Sequence, residues 1–144
     1  MSSDLQWLLL RNNNAFIVKR VVEGPIFSKE PGNLTGLHSF KYSGLANTKT
    51  IDIQQTPAGI QITTAKKGAS PFAVSSAKTV STIRNRSGSR RSTGVAANLA
   101  KRSYRPDLRQ AAVARASALV AAQKEKKPAP PKKARGKKAV ATSA

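Results

Sequence analysis

The sequence predicts an α+β fold, in which a short N-terminal helix packs on a small antiparallel sheet and basic helices and a disordered basic C-terminal tail follow. A leucine cluster behind a helix-capping sequence, paired isoleucines around a turn, and alanine-rich segments in the second half support this class. We expect four parts: a helix-plus-sheet domain over 1–67, a basic linker or extended arm over 68–94, two basic alanine-rich helices over 95–123, and a Lys/Pro/Ala tail over 124–144.

The first helix is predicted from its capping box. Ser3 can accept a hydrogen bond from a backbone amide of the first turn, and Gln6 can reach back to it. Leu5, Leu8 and Leu9 then share one face of a short helix, which a run of three asparagines ends.

Strand-forming residues dominate the rest of the first part. Residues 16–18 are rich in strand formers, and residues 39–42 alternate with period two. Isoleucine pairs at 51/53 and 60/62 frame Pro57–Gly59, which predicts a hairpin. We therefore expect a small antiparallel sheet with one apolar face.

Two helices are predicted in the second half of the chain. Residues 79–83 fit either a last strand or an extended arm. One helix begins near Val95, and Pro106 and Asp107 open another, because proline suits the first helical turn and a carboxylate favours the positive helix end. Pro106 also disfavours helical geometry at Arg105, so the two helices should meet at a corner.

The charge of the chain is unevenly distributed. Of its 144 residues, 26 are Lys or Arg and 6 are Asp or Glu, a formal net charge of +20. Residues 1–63 carry a net charge of +2, residues 64–123 carry +11, and residues 124–144 carry +7. The first part therefore has the composition of a packed domain, and the other two have that of a surface for a polyanion.

Several classes of function are excluded by composition. The chain has no cysteine and one histidine, which excludes thiolate chemistry, disulfides and multi-histidine metal sites. The segment GLANTKT, residues 44–50, lacks the glycine that a phosphate-binding loop needs before its lysine. We expect no enzyme activity, cofactor, metal or small-molecule substrate, and we find no secretory signal or membrane span in the sequence.

The candidate RNA-binding residues lie within residues 64–123, where 12 Lys and Arg residues accompany a single acidic residue, Asp107. Arginine predominates there, and its planar guanidinium suits bidentate phosphate contacts. The candidates are Lys66, Lys67, Arg84, Arg86, Arg90, Arg91, Lys101, Arg102, Tyr104, Arg105, Arg109 and Arg115. Tyr104 would either stack on a base or cap the turn between helices. We expect the corner at Pro106 to present its arginines to RNA while Asp107 binds the amides of the helix start.

Four segments of the chain resemble one family. They are SSDLQWLLLRNNNAFIVKR at 2–20, FSKEPGNL at 27–34, SFKYSGL at 39–45 and YRPDLRQAAVARASA at 104–118. Together they are similar to the eukaryotic ribosomal large-subunit protein twenty-eight family. The resemblance implies a structural protein of the cytosolic ribosome, in which a small helix-plus-sheet domain precedes helices that lie on large-subunit ribosomal RNA.

The sequence thus predicts a structural constituent of the large ribosomal subunit, with ribosomal RNA and neighbouring ribosomal proteins as partners. We expect a cytoplasmic protein that passes through the nucleus or nucleolus during assembly. The alternative is a chromatin protein, because the Lys/Pro/Ala tail is similar to that of linker histones. The strand-rich stretch 16–63 argues against the winged helix that such a protein would need.

Overall fold

The computed structural model describes residues 2–70, 72–101, 104–125 and 128. The elements in chain order are α1 (Ser3–Leu10), β1 (Ile17–Val18), β2 (Phe27–Ser28), a 3₁₀ turn (Phe40–Tyr42), β3 (Ile51–Thr56), β4 (Gly59–Ala65), β5 (Lys78–Arg84), α2 (Ser89–Lys101), a second 3₁₀ turn (Pro106–Leu108) and α3 (Arg109–Gln123). The predicted α+β class is confirmed. The predicted tail, 124–144, lies outside the described residues except at positions 124, 125 and 128.

A three-stranded antiparallel sheet, in the order β3-β4-β5, forms the centre of the fold. The predicted hairpin is present: Ile53 pairs with Ile62, and Thr56 with Gly59 across a two-residue turn. Residues 79–83 adopt the strand alternative, because β5 pairs with β4 along its whole length. The segment expected as a linker or arm therefore supplies a strand, and α2 begins within it as well.

Gly59 is the residue that lets β5 approach the hairpin turn. Its φ is +140°, and a Cβ at this position would lie 1.9 Å from the carbonyl oxygen of Ile83. A side chain would therefore collide with the backbone of β5, which cannot move without breaking the pairing with β4. Glycine is required here by both the dihedral angle and the space.

The core lies between one face of this sheet and the two later helices. Alternation places the isoleucines of β3 and β4 on the covered face, and all four are nearly inaccessible to solvent. Ala112 and Ala116 of α3 and Ala96 and Ala100 of α2 are fully buried against them. The small alanine side chains of these alanine-rich helices allow close packing, and one apolar cluster joins the sheet and both helices.

The N-terminal helix begins one residue earlier than its capping box predicted. Ser2 is the N-cap, and its hydroxyl accepts from the backbone amide of Leu5 at 3.3 Å. The side chain of Trp7 packs against His38 and Phe40, with ring centroids 4.9 and 6.0 Å away. The central sheet is covered by α3, which packs on β3 and β4, and α2 packs on α3, whereas the leucines predicted as the inner face of α1 are largely exposed.

The segment between the two sheets differs from its prediction. Residues 39–42 alternate like a strand, but they form a 3₁₀ turn in which the amides of Tyr42 and Ser43 donate to carbonyls three residues earlier. A strand there was the wrong prediction. The surrounding loop is organised by the buried carboxylate of Glu30, which accepts hydrogen bonds from Asn33 at 3.2 Å and Ser43 at 3.2 Å.

Candidate nucleic-acid interface

The strand register separates most of the predicted RNA-binding residues into two groups. Ala65 of β4 pairs with Lys78 at one end of the β4–β5 ladder, and Gly59 pairs with Arg84 at the other. We call the first the tyrosine end, because Tyr104 and Arg105 lie there. We call the second the arginine end, because it carries Arg84 and the cations that follow it (Arg86, Arg90 and Arg91). Six residues of strand separate the ends, which is about 20 Å.

Tyr104 is held inside the protein by its hydroxyl. The hydroxyl lies 2.6 Å from the carbonyl oxygen of Ala65 and 3.2 Å from that of Thr50, and the ring packs against the core. Burial raises the pKa of the Tyr104 hydroxyl above its ordinary value. Of the two alternatives for this residue, the geometry matches a cap on the interhelical turn, which also fastens that turn to the ends of β3 and β4.

Arg105 binds acceptors within the chain. Its Nε and Nη2 donate to the two carboxylate oxygens of Asp107 at 2.9 and 2.7 Å. Nη1 donates to the carbonyl of Lys49 at 3.0 Å, and Nη2 also donates to the carbonyl of Lys41 at 2.8 Å. Four of the five N–H donors of this guanidinium are thereby occupied, and its side chain is only 15% exposed.

Asp107 has a different role from the predicted one. Its carboxylate forms a bidentate ion pair with Arg105, and the N-cap residue of the 3₁₀ turn that opens at Pro106 makes no side-chain capping hydrogen bond. The hydrogen bonds from the Arg105 guanidinium lower the pKa of Asp107 below its ordinary value. The carboxylate of Asp107 therefore neutralises the positive charge of Arg105 at this corner.

The arginine end has the opposite character. Arg84, Arg86, Arg90 and Arg91 are all exposed, and none has an ion-pair partner in the part of the chain that the structure describes. The backbone turns tightly between β5 and α2, with the amide of Ser87 donating to the carbonyl of Arg84 at 2.9 Å. This turn brings cations from the strand end and from the first turn of the helix onto one corner of the molecule.

The remaining predicted residues lie apart from this corner. Lys66 and Lys67 are exposed just beyond β4, at the tyrosine end. Arg109 is exposed at the start of α3, and Arg115 lies along α3 with its Nε 3.4 Å from the carbonyl of Ile53. Lys101 is the last residue of α2, and Arg102 lies outside the described residues.

Sequence reasoning missed the hydroxyl groups that accompany the arginines. Ser81, Thr82 and Ser87 line a groove of about 420 Å³ between β5 and α2, together with Arg84, Arg86 and Arg91. A basic stretch rich in serine and threonine was a visible signal for them. Only the pairing of β5 with β4, however, places these hydroxyls beside the arginines.

The described ranges contain no group of three or more His, Asp or Glu side chains placed to hold a metal ion. No helix among the described residues is long and apolar enough to cross a lipid bilayer.

Comparison with known proteins identifies the family. The model of the ribosomal L28e protein family matches residues 5–122, from α1 to the end of α3. The chain belongs to the ribosomal L28e protein family. The resemblance predicted from the four sequence segments is therefore confirmed, and the match includes both ends of the sheet.

Relatives in three organisms support this assignment. The large ribosomal subunit protein eL28 of Schizosaccharomyces pombe is 37% identical over 131 residues, which cover 88% of this chain and 96% of the relative. The eL28 protein of Dictyostelium discoideum is 35% identical over 137 residues, with coverage of 94% and 98%. That of Caenorhabditis elegans is 37% identical over 81 residues, with coverage of 56% and 64%.

Proposed function

We propose that this chain is a structural constituent of the large ribosomal subunit and that it binds ribosomal RNA, chiefly through its arginine end. Membership of the L28e family and the names of its relatives support the first part. Neighbouring ribosomal proteins are its other partners in this proposal. Its location is the cytoplasmic ribosome, reached through nucleolar assembly.

The observation that carries the RNA-binding proposal is the set of cations without carboxylate partners. Within the described residues, Arg105 and Asp107 form the one salt bridge. Among the predicted residues whose side chains the structure describes, the cations outside that pair are Lys66, Lys67, Arg84, Arg86, Arg90, Arg91, Arg109 and Arg115. Such a one-signed surface favours a polyanion, because each contact with a phosphate releases a condensed counterion.

Tyr104 and Arg105 are left out of this set. The guanidinium and the hydroxyl would have to give up hydrogen bonds to backbone carbonyls before they could meet RNA. We propose that they position the corner between α2 and α3, so that Arg109 projects from a fixed helix start.

The proposed role is structural and involves no catalysis. His38, the single histidine of the chain, packs on Trp7, and its Nε2 lies 2.8 Å from the carbonyl oxygen of Arg11. This environment is that of a side chain that fixes α1 to the following loop. The L28e family assignment supports the same conclusion.

Sedimentation tests the proposal directly. Tagged protein expressed in a eukaryotic cell should migrate with free large subunits, 80S ribosomes and polysomes, and it should remain with large subunits at moderate salt. Migration at the top of the gradient at every salt concentration would contradict the proposal.

Binding to isolated large-subunit RNA should depend steeply on salt. If the eight cations named above each neutralise one phosphate, the slope of log affinity against log salt is roughly −6 to −7. A slope shallower than about −2 would indicate binding by apolar contacts and would contradict an electrostatic interface.

A further inference from the structure

The groove at the arginine end has a lining with a specific chemical character. It lies between the exposed strand β5 and the first half of α2 and encloses about 420 Å³. Arg84, Arg86 and Arg91 supply three guanidinium groups to it, and Ser81, Thr82 and Ser87 supply three hydroxyls. Neither a carboxylate nor an aromatic ring is among its lining side chains.

A second groove continues from the first. It encloses about 350 Å³ between the β3–β4 turn and the end of α3, and Arg84 and Ser87 line both. Gln123 lines this second groove, and its Nε2 is shielded from solvent without an acceptor in the described part of the chain. A buried amide donor without a partner is costly, and a ligand oxygen at this point would satisfy it.

We propose that these two grooves form one continuous track that binds the sugar–phosphate backbone of RNA. The track bends at Arg84, and the RNA is bound in it without contacts to its bases. This inference rests on the proposed function and adds the place and the mode of binding. Guanidinium groups and hydroxyls are donors to phosphate oxygens. Sequence-tolerant binding to bases needs aromatic stacking surfaces, and the lining residues of both grooves offer none.

The turn itself adds further donors to the track. The amide of Ser92 donates to the carbonyl of Gly88 at 3.1 Å, so α2 starts at the groove and its first-turn amides have no acceptor earlier in the helix. Gly88, immediately before α2, has no heavy atom within 4 Å of its Cβ position, so there is open space beside the start of the helix. A phosphate beside Arg91 would therefore also meet the positive end of α2.

The test compares two triple variants of the full chain that change charge equally. In the first, Arg84, Arg86 and Arg91 become Gln. In the control, Lys19, Arg20 and Lys29 become Gln, which removes three positive charges from exposed side chains that line neither groove and lie outside the proposed RNA-binding set. Fluorescence anisotropy measures the affinity of each protein for 20-nucleotide poly(U), poly(A) and poly(C) over a range of salt concentrations.

The track predicts that wild type binds the three homopolymers within about tenfold of one another. The groove variant should lose about 2 from the magnitude of the salt slope, because three phosphate contacts to a single strand are worth about 0.7 each. The control should lose less than about 1. Gln123→Leu should lower affinity at every salt concentration without changing the slope, since Gln123 carries no charge.

Different results would contradict the proposed function and the proposed track. A wild-type protein that binds no RNA would overturn the proposed function and the track with it. Wild-type binding with equal slope losses in both triple variants would overturn the track alone, as would a preference above about tenfold for one homopolymer. Circular dichroism and thermal melts of each variant verify that the fold is retained. If the groove variant does not fold, Arg91→Gln alone should lower the slope by about 0.7, and an unchanged slope would overturn the track.

Discussion

The two ends of the central sheet both carry arginine, yet they use it in opposite ways. At the tyrosine end, Arg105 donates to Asp107 and to two backbone carbonyls, and it is largely buried. At the arginine end, Arg84, Arg86 and Arg91 line an exposed groove without an ion-pair partner in the described residues. The side chains of the tyrosine end hold the helices and the loop together, and those of the arginine end are free to bind a polyanion.

This difference shows that local acceptors decide the role of an arginine. Asp107 lies two residues from Arg105, and the loop 41–49 brings two free carbonyls to the same guanidinium. An arginine surrounded by acceptors in the folded chain contributes to stability. One that faces only solvent and hydroxyls contributes charge to the surface.

The largest expected effect is the loss of stability from Arg105→Met. This variant keeps the length of the side chain, removes four hydrogen bonds and leaves the Asp107 carboxylate without its partner, so we expect a loss of about 2–3 kcal/mol in the free energy of unfolding. Urea denaturation at pH 7 measures it.

Arg86→Met is the matched control for that variant. Arg86 is exposed at the arginine end, and its loss should change the free energy of unfolding by no more than about 0.5 kcal/mol. If the two variants changed the free energy of unfolding equally, the proposed difference between the tyrosine end and the arginine end would be contradicted.

A smaller loss is expected for Tyr104→Phe. The variant keeps the ring in the core and removes the hydrogen bond to the carbonyl of Ala65, which should cost about 1 kcal/mol. Tyr42→Phe is its control, because the hydroxyl of Tyr42 has no hydrogen bond in the described part of the chain. Thermal unfolding of both variants decides whether the Tyr104 hydroxyl fastens the corner, and indistinguishable midpoints would contradict it.

The smallest effect concerns pH. Because Arg105 lowers the pKa of Asp107 in the folded state, the ionised carboxylate stabilises the fold above the unfolded pKa of about 3.9. That contribution is lost as pH falls through the lower folded pKa. Wild type should therefore lose stability more steeply below about pH 4 than Asp107→Asn does. Parallel curves for the two proteins between pH 7 and pH 3 would show that the ion pair contributes nothing.

Much of the fold could be predicted from local sequence patterns. The period-two isoleucines predicted the hairpin, and Pro106 and Asp107 predicted where the last helical segment begins. The strand predicted at 39–42 failed, because alternation alone does not reveal hydrogen bonds three residues apart. The inner face of α1 was also missed, since only contact with His38 and Phe40 selects Trp7 over the leucines.

The sequence predicted which residue types form the candidate site, but it did not predict how the fold arranges them. Charge alone selected the cations of residues 64–123. The two carbonyls that bind Arg105 lie 56 and 64 residues away in the chain, so no local pattern could identify them. The arginine groove likewise depends on the pairing of β5 with β4, a contact that the sequence left open between a strand and an extended arm.

Chemical modification of arginine tests the contrast between the two ends most directly. Phenylglyoxal labelling of the folded full-length protein, read by peptide mass spectrometry with and without large-subunit RNA, reports the availability of each guanidinium. We expect Arg84, Arg86 and Arg91 to react rapidly in the free protein and to be protected by RNA, while Arg105 reacts slowly in both states. Rapid labelling of Arg105 that RNA suppresses, with Arg84, Arg86 and Arg91 unprotected, would contradict the account.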